Sequence, residues 1–469
     1  MAVDPAKTPE ERLAKRLLAD PRVRAIIEEF SPHGQFFVVG GAPRDILLDR
    51  SDYDLDLATS LRPDQMRQLC SHLNIRVADI GGQHQTVTLI WDRLRGPDGE
   101  SAPSVEITSL RGPGMTPERS ASFSDSIEED LRYRDFTINA LAVELPSGKV
   151  VDSQGAVADI KQRRIRAVGE PSTRFCEDPL RILRMVRFHS SLGFAIEERT
   201  QAAAQELFAE LSRVSIERIR EEFVKTLCGE NVASAVVLLQ RLGFFRQYIA
   251  ELESCVDFEQ NRFHLTELFT HTVEVVRRSP PQPVTRLAAL FHDIGKPPTL
   301  SVDEAGERHF YRHEAVGAEM TKQIMERFKF SKDLTAAVSN LVALHMRPLT
   351  AGEAGLRRLL RDAAEDYPAW RALKEADALS CKIDSETVHT QLAEFDSRIN
   401  IVASQPSLSP LSALAFRGEQ VIALGAAKGP LVGEVLRYLH ERVLDNPELN
   451  TFEQLQLLCQ QYLRSRPDT

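Results

Sequence analysis

The sequence lacks a long apolar run, because no stretch approaches the roughly 18 uninterrupted apolar residues that a membrane-spanning helix requires. The segment from Met1 to Glu11 also lacks the basic-then-apolar order of a secretory signal peptide. Internal repeats and low-complexity tracts are absent as well. These absences predict a globular protein that works in the cytoplasm, with no membrane partner and no indication of an obligate protein partner.

Cysteine is scarce and scattered. The six cysteines form no CxxC pair, which excludes a thiolate zinc site and argues against a disulfide framework. We therefore expect reduced cysteines, most of them in the core. They are Cys70, Cys176, Cys228, Cys255, Cys381 and Cys459.

The chain also lacks excess positive charge, since its formal net charge is −10. This balance excludes a protein that coats nucleic acid nonspecifically, because such binding depends on neutralising phosphates. One local exception is the segment 161–190, which contains eight basic residues and only three acidic ones. This basic patch predicts a local RNA contact, and the alternative is a solvated helical face. Its basic residues are Lys161, Arg163, Arg164, Arg166, Arg174, Arg181, Arg184 and Arg187.

The length of 469 residues and the hydrophobic fraction of 42% predict several globular domains. Helical periodicity over residues 8–30 precedes short β-rich runs (FFVV, DLDLA, TVTLIW, SVEITSL, VVD) that alternate with helices up to about residue 155. Beyond Arg166 the pattern becomes long amphipathic helices. We predict an α+β protein with four parts, namely an α/β head over 1–155 and helical parts over 156–255, 256–400 and 401–469.

A glycine turn follows the first predicted strand, where FFVV runs into the sequence GGAPRD. Gly40 and Gly41 let the backbone approach a ligand closely, and a helix that begins here would present free N–H groups to an anion. The pattern is that of a phosphate-binding turn. Taken alone, it is weak evidence, because a Gly-Gly turn before a helix is more often a plain strand-to-helix connection.

Two aspartates lie one residue apart in the segment DLDL. Strand alternation predicts that Asp54 and Asp56 share one face while the intervening leucine enters the core. Paired carboxylates repel each other unless a cation joins them, and hard oxygen ligands suit Mg²⁺. Two such ions can bind a triphosphate and activate an attacking hydroxyl. The alternative is that both aspartates only decorate an exposed strand.

These segments resemble a known family. GGAPRD, DLDLATS, RDFTINALAV (134–143), RFCEDPLRILRMVRF (174–188) and ERIREEF (217–223) are similar in order to the class II tRNA nucleotidyltransferases (CCA-adding enzymes) and the bacterial poly(A) polymerases, within the DNA polymerase β superfamily. The resemblance covers about half of the chain. It implies a polymerase β-like head, with a mixed sheet and helices, followed by an all-α neck and body that bind RNA.

The resemblance also implies roles for individual residues. Asp54 and Asp56 would hold the catalytic metals, and Glu106, on the same strand face as Thr108, is the candidate for a third carboxylate. The nucleotide would be bound by Gly40, Gly41, Arg44, Arg134, Asp135, Asn139, Glu177, Asp178, Arg181 and Arg184. The RNA would be bound by Lys161, Arg163, Arg164, Arg218 and Arg220.

The segment EDPLR matches the family's base-reading pattern, with Glu177, Asp178 and Arg181. Cytosine and adenine both present an amino group beside a ring-nitrogen acceptor, so one carboxylate and one guanidinium can satisfy either base. Uracil and guanine present a carbonyl instead, and such polar mismatches can discriminate by about 10⁴-fold. The pattern predicts CTP and ATP as substrates, and the alternative reading makes Asp178 a helix cap before Pro179.

Histidines and aspartates recur in the helical half, in an order that resembles the HD-family metal-dependent phosphohydrolases. Such N and O ligands suit a mononuclear or binuclear site for Ni²⁺, Mn²⁺, Mg²⁺ or another transition metal. The resemblance assigns residues 256–400 to an HD domain and leaves residues 401–469 as a helical tail. The six predicted ligands are His271, His292, Asp293, His313, His345 and Asp377.

The sequence thus predicts template-independent addition of C and A to the 3′ end of tRNA, with Mg²⁺ in the head and a possible phosphohydrolase activity in the HD domain. Three alternatives remain: a bacterial poly(A) polymerase, an enzyme specialised for CC or A alone, and a phosphohydrolase whose head only binds RNA. Two departures from the family pattern bear on this choice. Tyr133 replaces a usual arginine, and the loop from Arg111 to Ser126, which the family links to the change from C to A addition, looks short.

Overall fold

The computed structural model describes residues 8–78, 86–94, 104–112, 122–260, 266–405, 411 and 414–465. The chain divides into two compact units, Met1–Asn231 and Val232–Thr469. A seven-stranded sheet lies in the first unit and the second unit is almost entirely helical, which confirms the predicted α+β class. The finer division at residues 155, 255 and 400 stays a prediction. Within the described ranges, no helix has the length and apolarity needed to cross a membrane.

The sheet of the first unit is built from seven short strands: β1 (Phe36–Val39), β2 (Asp56–Thr59), β3 (Arg76–Ala78), β4 (Thr86–Ile90), β5 (Ser104–Ser109), β6 (Ala142–Leu145) and β7 (Val150–Val151). Their order is β3-β4-β5-β2-β1-β6-β7. β2 and β5 run parallel, and the other neighbours are antiparallel. The five β-rich runs of the sequence thus all lie in this sheet.

One strand begins later than the sequence predicts. The alternation in DLDLA predicts a strand from Asp54, but β2 begins at Asp56. One reason is the register with β1, whose last residue, Val39, pairs with Asp56, so that residues before Asp56 have no partner on the β1 side. Asp54 consequently precedes the strand rather than lying on it.

The helices of the first unit are α1 (Pro9–Ala19), α2 (Pro21–Phe30), α3 (Gly41–Leu47), α4 (Pro63–His72), α5 (Ile127–Arg132), α6 (Ala156–Lys161), α7 (Pro171–Glu177), α8 (Leu180–Leu192), α9 (Glu198–Glu206) and α10 (Ile216–Leu227). The predicted helix over 8–30 is therefore two helices. Asp20 separates them, and its side chain accepts a hydrogen bond from the Arg22 backbone N–H at the start of α2. Pro21 cannot donate to α1, which explains the break. A short parallel pair, β8 (Arg164–Ile165) and β9 (Ala195–Ile196), follows the sheet.

One face of the sheet packs against α5. Phe37 and Val39 of β1 and Ala58 of β2 form a buried cluster with Ile127 and Leu131 of this helix. Burying a large apolar side chain contributes about 1.5–3 kcal/mol. This packing fixes α5 on the sheet and thereby positions the polar residues that α5 carries.

The second unit contains thirteen described helices and one small hairpin, β10 (Ser301–Val302) with β11 (Arg308–His309). The helices are α11 (Val232–Leu242), α12 (Phe244–Tyr248), α13 (Ala250–Glu253), α14 (Leu268–Arg278), α15 (Pro283–Phe291), α16 (His313–Arg327), α17 (Lys332–Leu344), α18 (Glu353–Ala363), α19 (Tyr367–Ala378), α20 (Ser385–Ala403), α21 (Gly418–Ala423), α22 (Pro430–Asp445) and α23 (Phe452–Arg464). The last three surround their own apolar cluster, which includes Phe416, Leu439 and Leu455.

Candidate functional site

The glycine turn lies at the floor of a pocket of about 650 Å³ in the first unit. Gly40 lies between β1 and α3 with a φ of 74°, a conformation that favours glycine. A Cβ atom on Gly40 would lie 3.1 Å from Asp56 Oδ2, so a side chain here would crowd the carboxylate. Gly41 begins α3, and Arg44 of the same helix is buried and lines the pocket with both glycines.

The three carboxylates that the sequence predicts as metal ligands all line the same pocket: Asp54, Asp56 and Glu106. Asp56 and Glu106 are direct neighbours across the parallel pair β2–β5, so both side chains point to one face of the sheet. Burial, together with the charges of Glu106 and Asp54 and against the opposing charge of Arg134, raises the pKa of Asp56 to about 6. Such mutual repulsion among oxygen ligands fits a site for divalent cations.

A hydrogen-bonded network connects the predicted nucleotide-binding residues. Arg184 donates two hydrogen bonds to Asp135 Oδ2, at 2.8 and 2.6 Å. The Asn139 amide N–H donates to Asp135 Oδ1 at 3.2 Å, and Arg44 donates to Asn139 Oδ1 at 2.6 Å. Burial alone would raise the pKa of Asp135, but the neighbouring Arg184 lowers it well below its ordinary value. Asp135 therefore stays charged and holds Arg184 and Asn139 in fixed orientations.

Arg134 is held by a residue that the sequence analysis did not identify. Asp130 of α5 is 1% exposed, and its Oδ2 accepts two hydrogen bonds from Arg134, at 2.9 and 2.8 Å. The only available signal was the spacing of four residues between the two. Glu222 is a second residue that the sequence analysis did not identify. It is buried, and its carboxylate oxygens lie 3.7 Å from Arg184 Nη1 and 3.2 Å from Arg187 Nε.

The three base-reading candidates lie where α7 ends and α8 begins. Asp178 and Arg181 line the pocket, and Glu177 accepts a hydrogen bond from Arg181 at 3.0 Å. Asp178 Oδ1 accepts a hydrogen bond from the Leu180 backbone N–H, so the side chain does act as a cap. Its Oδ2 accepts from Arg218 at 3.1 Å. Asp178 therefore both caps α8 and lines the pocket.

The predicted RNA-binding residues occupy two places in the first unit. Lys161 and Arg163 are exposed near the end of α6, whereas Arg164 donates two hydrogen bonds to the buried Asp159, at 2.8 and 2.5 Å. Arg218 lines the pocket from α10, and Arg220 lies one half-turn further along that helix. Most of the loop from Arg111 to Ser126 lies outside the described residues, so its predicted shortness stays untested.

The six predicted HD-domain ligands converge in the second unit, and each lies on or next to a helix from α14 to α19. His271 Nε2 is 3.3 Å from His292 Nε2 and 3.3 Å from Asp377 Oδ1. His313 Nε2 is 3.2 Å from both His345 Nε2 and Asp293 Oδ1. Asp293 belongs to two sets of adjacent donors, one with His271 and His292 and the other with His313 and His345.

Backbone carbonyls orient three of these imidazoles. The Nδ1 atoms of His292, His313 and His345 lie 2.9, 2.8 and 2.7 Å from the carbonyl oxygens of the residues three positions earlier. Because a carbonyl only accepts, each Nδ1 must carry the proton and donate it. Each Nε2 is then directed toward Asp293 with its lone pair available. This is the arrangement in which histidines bind metals.

Two further residues extend the HD cluster beyond the predicted six. Lys296 is 5% exposed, and its Nζ lies 2.6 Å from Asp293 Oδ2. Burial alone would raise the pKa of Asp293, but His292 and Lys296 hold it well below its ordinary value. Cys381 lies within ligand distance of His271 and Asp377. The spacing of three residues from Asp293 to Lys296 was the signal available in the sequence.

Comparisons with known proteins agree with these two sites. The family description "Poly A polymerase head domain" matches residues 36–166, "Probable RNA and SrmB- binding site of polymerase A" matches 193–255, and "HD domain" matches 268–381. The A-adding tRNA nucleotidyltransferase of Deinococcus radiodurans is 33% identical over 73% of this chain and 81% of its own length. The CC-adding tRNA nucleotidyltransferase of Thermus thermophilus is 31% identical over 86% and 88%.

Other relatives match over less of their length. The CCA-adding enzyme of Lactobacillus helveticus is 42% identical, and the chain spans about half of it, 47%. Among solved structures, the Bacillus stearothermophilus CCA-adding enzyme in complex with CTP has a TM-score of 0.70 at 25% identity, over 98% of this chain and 99% of that one. The chain therefore belongs to the tRNA nucleotidyltransferase and poly(A) polymerase family, and it carries the head, the RNA-binding region and an HD domain in that order.

Proposed function

We propose that this protein adds C and A nucleotides to the 3′ end of tRNA without a template, using CTP and ATP. The observation that carries the proposal is the single pocket in which Asp54, Asp56 and Glu106 meet the base-reading candidates Asp178 and Arg181. Relatives named as A-adding, CC-adding and CCA-adding enzymes support the reaction class. Because Asp178 and Arg181 could bind either cytosine or adenine in this one pocket, we favour addition of all three nucleotides, C, C and A.

In the proposed reaction the tRNA 3′ hydroxyl attacks the α-phosphate and pyrophosphate leaves. Mg²⁺ ions bound by the three carboxylates would supply neutralisation of the charge that develops on the phosphate. Gly40 and Gly41 leave room for the triphosphate, and Arg44 presents a guanidinium that Asn139 holds in place. These oriented charges need no reorganisation during the reaction, which is how a preformed site accelerates it.

Asp178 and Arg181 are expected to decide which base enters. Replacing either by alanine should weaken the rejection of UTP and GTP by about 100-fold or more, since a polar mismatch in a built site discriminates by up to about 10⁴-fold. Relative kcat/KM values for the four nucleotides measure this effect.

The control variant for this prediction is Asp384→Ala. Asp384 caps α20 with two backbone hydrogen bonds in the second unit, so its loss should cost a similar cap energy, about 1 kcal/mol, without changing base choice. Base choice that stays intact in a destabilised Asp178→Ala variant would mean that Asp178 is only a cap.

The nucleotides added can be sorted with three tRNA transcripts, which end before the first C, after the first C and after the second C. Each is incubated with one labelled nucleotide at a time. CCA addition predicts incorporation of C into the first two transcripts and of A into the third. Extension of only some transcripts would identify a CC-only or A-only enzyme, and a long A tail would identify a poly(A) polymerase.

A second function is supported by the two donor sets that share Asp293. We propose that the HD domain binds one or two metal ions, with Ni²⁺, Mn²⁺ and Mg²⁺ as candidates, and hydrolyses phosphoesters. Asp293 would be able to bind both ions, and the neighbouring Nε2 atoms suit a transition metal.

A cytoplasmic location remains our prediction for the whole protein.

A further inference from the structure

We propose that Arg111 is a phosphate-binding residue of the head pocket. The inference rests on the proposed nucleotidyltransferase function and adds a ligand that the sequence analysis did not assign. The phosphate would belong either to the triphosphate of the incoming nucleotide or to the backbone of the RNA primer.

The main chain of Arg111 is fixed on both sides. Residue 111 follows β5 and forms an isolated bridge with Phe123. The Ser124 N–H donates to the Leu110 carbonyl at 3.0 Å, and the Arg111 N–H donates to Asp130 Oδ1 at 3.0 Å. The side chain thus starts from a rigid point and lines the pocket together with Asp56 and Glu106.

The positive charge of the Arg111 guanidinium lies farther from a carboxylate than the charges of other arginines in the pocket. Arg44 lies 2.8 Å from Asp45, Arg134 lies 2.8 Å from Asp130, and Arg184 lies 2.6 Å from Asp135. For Arg111, the recorded ion pair is a 3.9 Å separation from Asp130 Oδ1. That oxygen already accepts the backbone N–H of the same residue.

The Nε atom of Arg111 is buried, and within the described part of the chain it has no hydrogen-bond partner. Burial lowers the pKa of Arg111 to about 10, and the nearby charge of Arg134 contributes to the lowering. The group still carries its charge at neutral pH. A buried donor without a partner is unfavourable, and the energy is recovered when an anion arrives.

A phosphate is the anion that this site suits. The planar guanidinium fork donates two parallel hydrogen bonds to phosphate oxygens, which a lysine cannot reproduce. The side chain of Arg111 is 31% exposed and is part of the pocket lining, so a ligand in the pocket can reach it. The Asp130 carboxylate would then position both arginines. Its Oδ2 accepts hydrogen bonds from the Arg134 side chain, and its Oδ1 accepts one from the Arg111 backbone N–H.

The test compares Arg111→Met, which removes the charge at similar length, with Arg111→Lys, which keeps the charge without the fork. The full-length protein is titrated with MgCTP in the absence of RNA, and KM values for CTP and for tRNA are measured separately. We expect the Arg111→Met variant to bind MgCTP at least about 10-fold more weakly, with partial recovery in Arg111→Lys. The melting temperature without nucleotide should not fall, because an uncompensated charge has been removed.

The matched control is Arg62→Met. Arg62 precedes α4 and lies 4.4 Å from the ring centroid of Phe123, the residue that bridges to Arg111, and 3.7 Å from Asp125. Its loss should leave MgCTP affinity unchanged. An unchanged MgCTP affinity in Arg111→Met together with a KM for tRNA raised about 10-fold would assign the phosphate to the RNA backbone instead.

Unchanged values for both ligands, or a lowered melting temperature with normal affinities, would overturn the inference and make Arg111 a structural residue. The wild-type titration separates this outcome from a failure of the proposed function. If the wild type itself does not bind MgCTP or extend tRNA, the proposed function is wrong. If the wild type does both and Arg111→Met matches it, only the role of Arg111 is wrong.

Discussion

Replacing Asp56 by asparagine is expected to abolish nucleotide addition and, at the same time, to stabilise the metal-free protein at pH 8. The first effect follows because the substitution removes one of the three carboxylates that we propose as cation ligands, and we expect a loss of about 10³-fold or more in kcat. The second follows from the pKa of Asp56, which is raised to about 6 by burial and by the charges of Glu106 and Asp54.

The direction of the pH effect follows from proton linkage. An unfolded aspartate has a pKa of about 4, so between pH 4 and 6 the folded protein keeps a proton that the unfolded chain has lost. The stability that this proton provides is fully present below about pH 4 and is lost as the pH rises through 6. A shift of two units corresponds to about 3 kcal/mol, of which we expect about 2 kcal/mol because the carboxylate is partly solvated.

Urea unfolding in the presence of a chelator, at pH 4 and at pH 8, measures this effect. The Asp56→Asn variant should match the wild type at pH 4 and exceed it at pH 8. Asp64→Asn is the control, since its side chain is 91% exposed and its loss should change neither activity nor the pH profile. Retained addition by Asp56→Asn, or equal stabilities at both pH values, would contradict the assignment of the carboxylate site.

Replacing His292 and Asp293 together by alanine is expected to remove the phosphohydrolase activity and leave CTP and ATP incorporation within about two-fold of the wild type. The substitution removes the shared carboxylate of both donor sets, so we expect metal content and hydrolysis to fall by about 100-fold or more. The two sites are built from residues of different compact units, which is why addition should persist.

Two measurements check this prediction independently of each other. Metal bound per chain after dialysis against Ni²⁺ or Mn²⁺ reports the site directly, and hydrolysis of a chromogenic phosphodiester reports its activity. His309→Gln is the control because His309 pairs with Asp303 on the nearby hairpin and belongs to neither donor set. His313→Gln, a single and milder change, covers the case in which the double variant fails to fold. Joint loss of hydrolysis and addition in a folded variant would mean that the sites depend on each other.

The sheet could be predicted from the sequence because its strands are short β-rich runs, some alternating with a period of two, such as β5, and others apolar throughout, such as β1. FFVV, for example, corresponds to β1 without a change of boundary. The beginning of β2 could not be predicted in this way. Its position depends on the pairing of Val39 with Asp56, which is a property of two strands rather than of one. Pro21 was visible in the sequence as a possible helix break. The helical period of apolar residues continues on both sides of it, which is why a single helix was predicted.

The candidate sites divide in a similar way. Groups that we propose to act directly on a ligand, such as Asp54 and His292, occur in short patterns that the sequence displays. Groups that orient them do not. Glu222 of α10 holds arginines of α8, and only the packing of these two helices brings them together. Asp130 holds Arg134, which lies four residues further along the chain, but that spacing alone did not single out the pair. The uncompensated charge of Arg111 is likewise a property of its surroundings, because nothing in its own segment distinguishes it from the paired arginines.

The most direct test of the account is the amount of pyrophosphate released from a tRNA transcript that lacks its 3′ CCA, in the presence of CTP and ATP with Mg²⁺. We predict three pyrophosphates per transcript, a product whose sequenced 3′ end is CCA, and no release by the Asp56→Asn variant. Continued release with a lengthening A tail, or no release by the wild type, would contradict the claim that the head pocket completes the 3′ end of tRNA.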